Sequence, residues 1–560
     1  MAVDLYEKTK ERLAHESGTV VINRAAAVRF ALAFPNIYSV GMASLGYQLV
    51  YAMLNSLPNA SCERVFVPDP DDLKEHLRSH TELFTLESQH PLSEFDVVAF
   101  SVSFEMDYLN MLHILKLANI PILSAERDEL RPLVIVGGPC GTFNPEPLAD
   151  FVDAFVIGDA EDVLPELVNA LEAKQGSARN EVLAALAGVP GVYVPRFYTP
   201  QYDGSGELVG LDVIPPAPAK VNRAVATDLT NSTARSVIRA SDAEFGDIEL
   251  VEVARGCGRQ CRFCVAGYIT RPMRPRNTGK QFNGIRQGLV GAAIFDHPEA
   301  RSICESIVES GGEFTVSSVR LETITPELVA LMVRGGQKTL TIAPEAGSER
   351  LRKVINKNAS EDDIFSAVAM AQEAGILRIK LYFMIGLPTE TDSDIDAIVD
   401  LVRRLNSEFP AVIFQVSASS FVPKPWTPFQ WHTMEHENIL KRRYAILTKG
   451  ISSIKGAKLS GESPRLATVQ GYLARGDRRM GRVLAAALEN GGDYSAALRE
   501  TGVDVRPCLY KLRGRDDVLP WDVVDAGIDK DYLWNEYQKA LKGETTAPCR
   551  IGTCRACGVC

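Results

Sequence analysis

The sequence has little that suits a membrane or an extended nucleic-acid surface. No run approaches the ~18 uncharged apolar residues that a membrane-spanning helix needs. Residues 1–16 are charged and helix-like, without the apolar core of a signal peptide. Lys and Arg number 60 against 71 Asp and Glu, so the net charge of −11 argues against a globally basic nucleic-acid binder, although local basic patches are still compatible with it. These absences favour a soluble, unexported, cytoplasmic protein without a membrane partner.

Cysteine, by contrast, is present in clusters. There are 11 cysteines, and in a reducing cytosol clustered cysteines more often bind metal than form disulfides. Cys257, Cys261 and Cys264 follow a C-x3-C-x2-C spacing. Three thiolates on one tight loop can hold three corners of a 4Fe–4S cluster, and the fourth iron stays open because no fourth cysteine is near. The alternative is a structural zinc site of these three cysteines completed by a distant histidine.

The length of 560 residues predicts several domains, because single cores stop growing near ~250–300 residues. Apolar strand candidates alternate with amphipathic helices before residue 220 and again after residue 247, which predicts an α/β fold with parallel sheets. In the first region the pattern indicates a doubly wound, Rossmann-like sheet that binds ligands at the carboxyl ends of its strands. The expected units are residues 1–220, a linker at 221–246, a second α/β unit at 247–435, a small helical region at 436–540 and a cysteine-rich tail at 541–560.

The cysteine motif, with the aromatic Phe263 before its third cysteine, resembles that of radical S-adenosylmethionine (radical SAM) enzymes. The resemblance implies a partial (β/α)6, TIM-like barrel over residues 247–435. It also implies that the open iron of a 4Fe–4S cluster binds S-adenosylmethionine and splits it to a 5′-deoxyadenosyl radical, which then abstracts hydrogen from an unactivated carbon. A reducing partner, flavodoxin or ferredoxin, is implied as the electron source.

The N-terminal region is similar to the cobalamin-binding-like domain of many radical SAM proteins, in its segments FPNIYSVGMASLGYQ, SVSFEMDYLNMLHILK, GGP…NPEP and DAFVIGDAED. It lacks the D-x-H-x-x-G motif that supplies a histidine to cobalt, so cobalamin binding stays open beside a domain that holds substrate or no ligand. Only Cys62 and Cys140 lie in this region, so the three-cysteine auxiliary cluster of the methylthiotransferases is missing. That absence argues against sulfur insertion by the usual route.

The resemblance also assigns residues around S-adenosylmethionine. In APEAGSERLRKVINKNAS, Glu345 takes the position of a polar residue that contacts the cofactor, and Lys357 that of a basic residue that meets its carboxylate. The alternative for these two residues is a capping or surface ion pair. Glu390 is expected to cap the helix that follows it. The remaining candidates at strand ends are Ser317, Ser318, Arg320 and Gly386.

The last twelve residues carry a second metal signature. Cys549, Cys554, Cys557 and Cys560 form a C-x4-C-x2-C-x2-C pattern, which can surround a second 4Fe–4S cluster. Zinc and a thiol redox tail are the alternatives. Four ligands would leave no open iron, which predicts an electron-transfer or structural role.

A basic stretch precedes the tail and contains five arginines that either meet RNA or an acidic partner or form a solvated face: Arg465, Arg475, Arg478, Arg479 and Arg482. Taken together, the motifs predict a radical SAM enzyme that modifies an unactivated carbon, by methyl transfer if it uses cobalamin. Two alternatives stay open. One is a cobalamin-free radical SAM enzyme that carries out oxidation, rearrangement or sulfur chemistry on an unknown substrate such as RNA, and the other is a non-catalytic iron–sulfur or zinc assembly factor.

Overall fold

A computed structural model describes residues 4–18, 20–230, 234–278, 282, 284–550 and 553–559. Cys560 lies outside the described residues. Within these ranges no helix combines the length and the apolar character that a bilayer crossing requires.

The N-terminal domain contains a six-stranded sheet whose spatial order differs from its chain order. The strands lie side by side in the order Ala60–Phe66, Val28–Phe34, Val97–Ser101, Leu133–Gly137, Ala154–Val156 and Val192–Tyr193. All pairs are parallel except the last. Their near-continuous burial follows from having helices on both faces. The helices of the domain are Leu5–Ala14, Tyr38–Met42, Leu45–Ser56, Pro70–Ser79, Tyr108–Leu117, Pro139–Phe143, Ala160–Ala173 and Arg179–Ala187.

This strand order confirms the predicted doubly wound sheet and defines its switch point. The chain places its second strand outside its first and its third on the other side, as in flavodoxin-like sheets. The order therefore reverses between Val28–Phe34 and Val97–Ser101. Open α/β sheets bind their ligands in the crevice at such a point.

The second sheet is the predicted partial barrel. Its parallel strands are Glu249–Glu252, Gln287–Val290, Phe314–Val316, Leu340–Glu345, Arg378–Ile385, Ile413–Ser420 and Ala457–Gly461. A bridge between Val319 and Ile342 joins the first three strands to the last four. All six predicted strands form, and the seventh is an addition that the sequence analysis missed. The main covering helices are Ala300–Glu309, Pro326–Arg334, Glu349–Val354, Glu361–Glu373, Asp392–Glu408 and Glu437–Ser452.

The predicted capping role of Glu390 is wrong. Thr391 and Asp394 form the capping box of helix Asp392–Glu408. Glu390 is buried instead, where it accepts a hydrogen bond from the Gly386 backbone and pairs with Arg443 at 2.9 Å. A buried carboxylate is costly unless it is paired and hydrogen-bonded, whereas the start of this helix is already capped by Thr391 and Asp394.

The C-terminal helices pack against both the N-terminal domain and the barrel. They are Pro464–Arg475, Met480–Glu489, Tyr494–Thr501, Arg506–Tyr510 and Lys530–Lys542. Arg475 is fully buried and donates to the carbonyl groups of Cys508, Pro423 and Gln430. Arg478 pairs with Glu146 of the N-terminal domain at 3.0 Å. Neither arginine lies on a solvated or RNA-facing surface, so the interpretation of the basic stretch is wrong for these two residues, which hold the domains together.

Short paired strands complete the described fold. Glu16–Ser17 pairs with Arg239–Ala240, and Val221–Asn222 with Val524–Asp525. The strands Tyr198–Tyr202 and Leu208–Val213 form a hairpin, and Ala254–Arg255 pairs with Arg274–Pro275. The last pair brackets the three central cysteines.

Candidate active site

The segment between the paired strands Ala254–Arg255 and Arg274–Pro275 is named here the cluster loop, residues 256–273. It begins at Gly256, whose φ of +82° lies in the left-handed region. A Cβ at this position would lie 2.3 Å from the carbonyl oxygen of Thr270 and 2.4 Å from that of Pro272. Only glycine therefore allows the two ends of the loop to meet. The loop carries Cys257, Cys261 and Cys264.

The sulfur environment of the cluster loop fits an iron–sulfur cluster. Cys257 and Cys261 are 8% and 7% exposed, and Cys264 is partly buried. The Arg259 backbone N–H donates to Cys257 Sγ at 3.4 Å, and Arg320 Nη1 donates to Cys261 Sγ at 3.8 Å. Hydrogen bonds to sulfur are among the features by which proteins set the potential of such clusters. No group of three His, Cys, Asp or Glu side chains in the described ranges is arranged to hold a single metal ion.

Glu345 and Lys357 meet beside the cysteines. Lys357 Nζ lies 3.7 Å from Glu345 Oε1, and both side chains are largely buried, so this is not a surface ion pair. Burial raises the pKa of Glu345, while the charges of Lys357 and Arg320 act in the opposite direction. Glu345 has φ +68° at an irregular pairing after Ile342. Left-handed backbone in a non-glycine residue is strained, and such strain is often found at functional sites.

The other residues predicted to contact the cofactor do not form a contact with one another of the kind that joins Glu345 to Lys357. Ser317 and Ser318 are exposed just after strand Phe314–Val316. Phe263 packs against the hydrophobic core. Gly386 has φ +86°, donates its backbone N–H to Glu390, and would place an added Cβ 2.7 Å from the side chain of Leu440. Contact of these four residues with a cofactor stays a prediction.

Sequence reasoning missed an ionic network that joins the N-terminal domain to both ends of the cluster loop. Arg255 pairs with Asp159, Glu161 and Glu252, at 2.9 Å to the last two. Arg274 pairs with Asp159, and Arg276 with Glu161 and Glu252. Burial alone would raise the pKa of Asp159, but Arg255 and Arg274 hold it below its usual value. The sequence feature that could have revealed this network is the opposite charge of the segments GDAED and RPMRPR.

An apolar cavity of about 320 Å³ lies at the switch point of the N-terminal sheet. Aliphatic side chains make up much of its lining, and Ser101, Ser103 and Gly138, at or just after strand ends, line it as well. Arg255, Ile269 and Thr270 of the barrel domain line it as well, so the cavity reaches the cluster loop. The apolar lining includes Leu45, Leu49, Met53, Leu164 and Leu167.

The described part of the C-terminal tail docks on the cluster loop. The Cys549 backbone N–H donates to the carbonyl oxygen of Gly258 at 2.8 Å. Thr546 and Asn356 exchange two hydrogen bonds, of 2.8 and 3.0 Å. The Asp529 N–H donates to the carbonyl oxygen of Cys557 at 2.9 Å. Cys549 of the second predicted metal motif therefore lies against the loop that carries the first motif.

Two family profiles match the chain. The profile described as the radical SAM superfamily matches residues 251–402, and that of the N-terminal region of radical SAM proteins matches residues 46–195. An uncharacterized protein of Methanocaldococcus jannaschii is 29% identical over 429 residues, which cover 74% of this chain and 86% of that protein. An uncharacterized methyltransferase of Pyrococcus horikoshii is 24% identical over 49% of this chain and 59% of its own length. A tRNA-2-methylthio-N(6)-dimethylallyladenosine synthase of Chlorobium phaeobacteroides is 21% identical over 48% of this chain and 66% of its own length.

Among solved structures, the radical SAM methyltransferase TsrM of Kitasatospora setae has a TM-score of 0.47 and 16% identity, with 69% of this chain and 72% of that chain covered. The cobalamin-dependent radical SAM enzyme OxsB has a TM-score of 0.46 and 14% identity, with 92% and 78% covered. The two profiles together span more than half of the chain, and the cysteine motif falls within the second. The chain belongs to the radical SAM superfamily and is an enzyme of the radical SAM type.

Proposed function

We propose that this protein is a cobalamin-using radical SAM enzyme that transfers a methyl group to an unactivated carbon of its substrate. The observation that carries the proposal is the apolar cavity at the switch point, because it extends from the N-terminal sheet to the cluster loop. A ligand placed there would be held by one domain beside the reactive centre of the other.

Cys257, Cys261 and Cys264 would hold the 4Fe–4S cluster that membership in the superfamily implies. When bound with S-adenosylmethionine, such a cluster supplies the electron that splits this cofactor into methionine and a 5′-deoxyadenosyl radical. The chain's own contribution is orientation and charge. Lys357 offers a buried cation to the cofactor's carboxylate, and Glu345 keeps that cation in place when no cofactor is bound.

The cavity fits one part of a cobalamin. Its volume of about 320 Å³ is far smaller than a corrinoid, but it accommodates a planar heterocycle such as the nucleotide base. Leu49, Met53, Leu164 and Leu167 would pack against that base, and the small residues at the strand ends let a bulky group approach the backbone. No histidine is among the described residues that line the cavity. When bound, methylcobalamin would supply the methyl group.

Purification in the presence of hydroxocobalamin tests the cobalamin part of the proposal. We expect the wild-type protein to retain a corrinoid visible spectrum after gel filtration. Gly46→Phe should abolish it, because Gly46 lines the cavity and has open space at its Cβ position. The control is Gly204→Phe, at a position that also has open space but lies in the hairpin turn. Wild-type protein without corrinoid would favour the cobalamin-free radical SAM enzyme.

Turnover of S-adenosylmethionine tests the radical chemistry separately. Anaerobically reconstituted protein, reduced with dithionite, should release 5′-deoxyadenosine, and the Cys261→Ala variant should not. If an intact first cluster failed even to bind S-adenosylmethionine, the catalytic proposal would be lost and a non-catalytic assembly factor favoured.

A further inference from the structure

Two of the described tail cysteines, Cys549 and Cys557, are held by hydrogen bonds to other parts of the protein. The cysteine tail is defined here as the described residues 544–550 and 553–559. Cys549 contacts the residue next to Cys257, through its hydrogen bond to the carbonyl oxygen of Gly258. Cys557 is 5% exposed and is tied to the start of helix Lys530–Lys542 by the N–H of Asp529. Two of the tail cysteines are thus fixed by backbone hydrogen bonds on or near the cluster loop.

A buried ion pair fixes the base of the tail. Arg262, between Cys261 and Cys264, is fully buried and lies 3.0 Å from Glu536 of helix Lys530–Lys542. Glu536 in turn accepts the Thr546 hydroxyl at 2.8 Å. Asn356 donates to the carbonyl oxygens of both Gln260 and Thr546 at 3.0 Å. The contacts therefore run from the cluster loop through Glu536 and Asn356 to Thr546 of the tail.

Arg271 of the cluster loop has one buried donor atom without a hydrogen-bond partner among the described residues. Its residue is only 3% exposed, and its guanidinium lies 4.4 Å from the centroid of the Tyr268 ring. Nη2 donates to the Arg259 carbonyl oxygen and to Gln260, at 2.9 and 2.6 Å. Nη1 is buried and has no hydrogen-bond partner among the described residues. A buried cationic donor left unpaired is costly unless an anion completes it.

A sulfur anion held by the tail would complete the hydrogen bonding of Arg271. The backbone hydrogen bonds that the Arg271 side chain donates stay within the cluster loop, to the carbonyl oxygens of Gly267 and Arg259. Thiolate ligands and the sulfide ions of a cluster are negatively charged acceptors for such a donor.

We propose that Cys549, Cys554 and Cys557 hold a second, redox-active iron–sulfur cluster, which passes single electrons to the first through the Cys549–Gly258 hydrogen bond. An external one-electron donor of the flavodoxin or ferredoxin class reduces the tail cluster. The tail cluster is reoxidised when the first cluster gains the same electron, so one electron enters and one leaves. The relay rests on the proposed radical function of the first cluster, whereas the presence of the tail cluster does not.

The metal at the tail is tested in protein that lacks the first centre. Anaerobic reconstitution of Cys257→Ala/Cys261→Ala/Cys264→Ala should leave iron, sulfide and an electron paramagnetic resonance signal after dithionite reduction. Adding Cys554→Ala and Cys557→Ala should remove all three. Cys304→Ala, which changes a buried cysteine of helix Ala300–Glu309, is the control and should leave them unchanged. Zinc alone, or no metal, in the triple variant would overturn the proposal, since zinc carries no electrons.

The relay is tested by rapid mixing with reduced flavodoxin while the first cluster's reduction is followed spectroscopically. The Cys554→Ala/Cys557→Ala variant should be reduced at least tenfold more slowly than wild type. Its 5′-deoxyadenosine yield with dithionite should be unchanged, because that small reductant reaches the first cluster directly. Equal reduction rates would overturn the relay. Failure of an intact first cluster to bind S-adenosylmethionine would instead overturn the proposed function and leave the tail cluster standing.

Discussion

Replacing Glu536 by glutamine tests how strongly the C-terminal helix is held to the cluster loop. The carboxylate accepts bonds from Arg262 Nε and Nη2 at 3.2 and 3.0 Å, from Lys539 at 2.8 Å and from Thr546 at 2.8 Å. Lys539 is 41% exposed at its side chain and can turn to water, but Arg262 is fully buried. Glu536→Gln leaves that cation without a carboxylate.

Breaking a buried pair by removing one partner costs about 3–5 kcal/mol, so this is the expected loss in the free energy of unfolding of the region. Tryptophan fluorescence during urea unfolding reports on it specifically, because the chain's four tryptophans lie at positions 426, 431, 521 and 534. The Arg262→Met/Glu536→Met double variant should be far less destabilised than Glu536→Gln, since it leaves no unpaired charge. Glu305→Gln, in an exposed pair with Arg301, should cause no measurable change. A Glu536→Gln variant within about 0.5 kcal/mol of wild type would refute the reasoning.

Three further changes probe the active site and its support. Lys357→Met should weaken S-adenosylmethionine binding at least tenfold by calorimetry on reconstituted protein, with partial recovery in Lys357→Arg; unchanged affinity would remove Lys357 from the cofactor site. Gly256→Ala should lower iron bound at the first centre, because its Cβ cannot fit against the Thr270 carbonyl, whereas Gly204→Ala should not. Burial, with a smaller effect of Arg475, lowers the pKa of His432 to about 4. The folded state therefore binds fewer protons than the unfolded state between pH 4 and about 6.5, so about 2 kcal/mol of stability should be lost between pH 7 and pH 5, and His432→Asn should abolish this dependence in urea titrations.

The strands and the cysteine motif were accessible from the sequence because both are local patterns. Continuous apolar runs marked the six barrel strands, and fixed spacing marked the cysteines. The edge strand Ala60–Phe66 was missed because its sequence, ASCERVF, places charged residues inside a buried strand. Those charges are paired by distant residues, such as Arg64 with Glu16 at 2.7 Å. No periodicity could reveal such a pairing.

The candidate site divides in the same way. Glu345 and Lys357 are twelve positions apart, and their motif predicted a shared role. Arg255, Asp159 and Glu161 come from different domains, so their charge complementarity has a meaning only once the chain is folded. The prediction for Arg475 and Arg478 failed for a related reason, because it considered only how many arginines the segment contains. In the structure Arg475 is buried against backbone carbonyl groups, and Arg478 is paired with Glu146. Local chemistry was predictable, and its partners across the fold were not.

The ionic network around the cluster loop has a consequence for how this architecture can be inherited. Arg274 is 6% exposed, and its carboxylate, Asp159, belongs to the other domain. A barrel recombined with an N-terminal domain from a distant relative would bury that cation without a counterion unless the acidic turn came with it. The two domains should therefore exchange between lineages as a single block, with the turn at 158–161 and the segment 271–276 changing together.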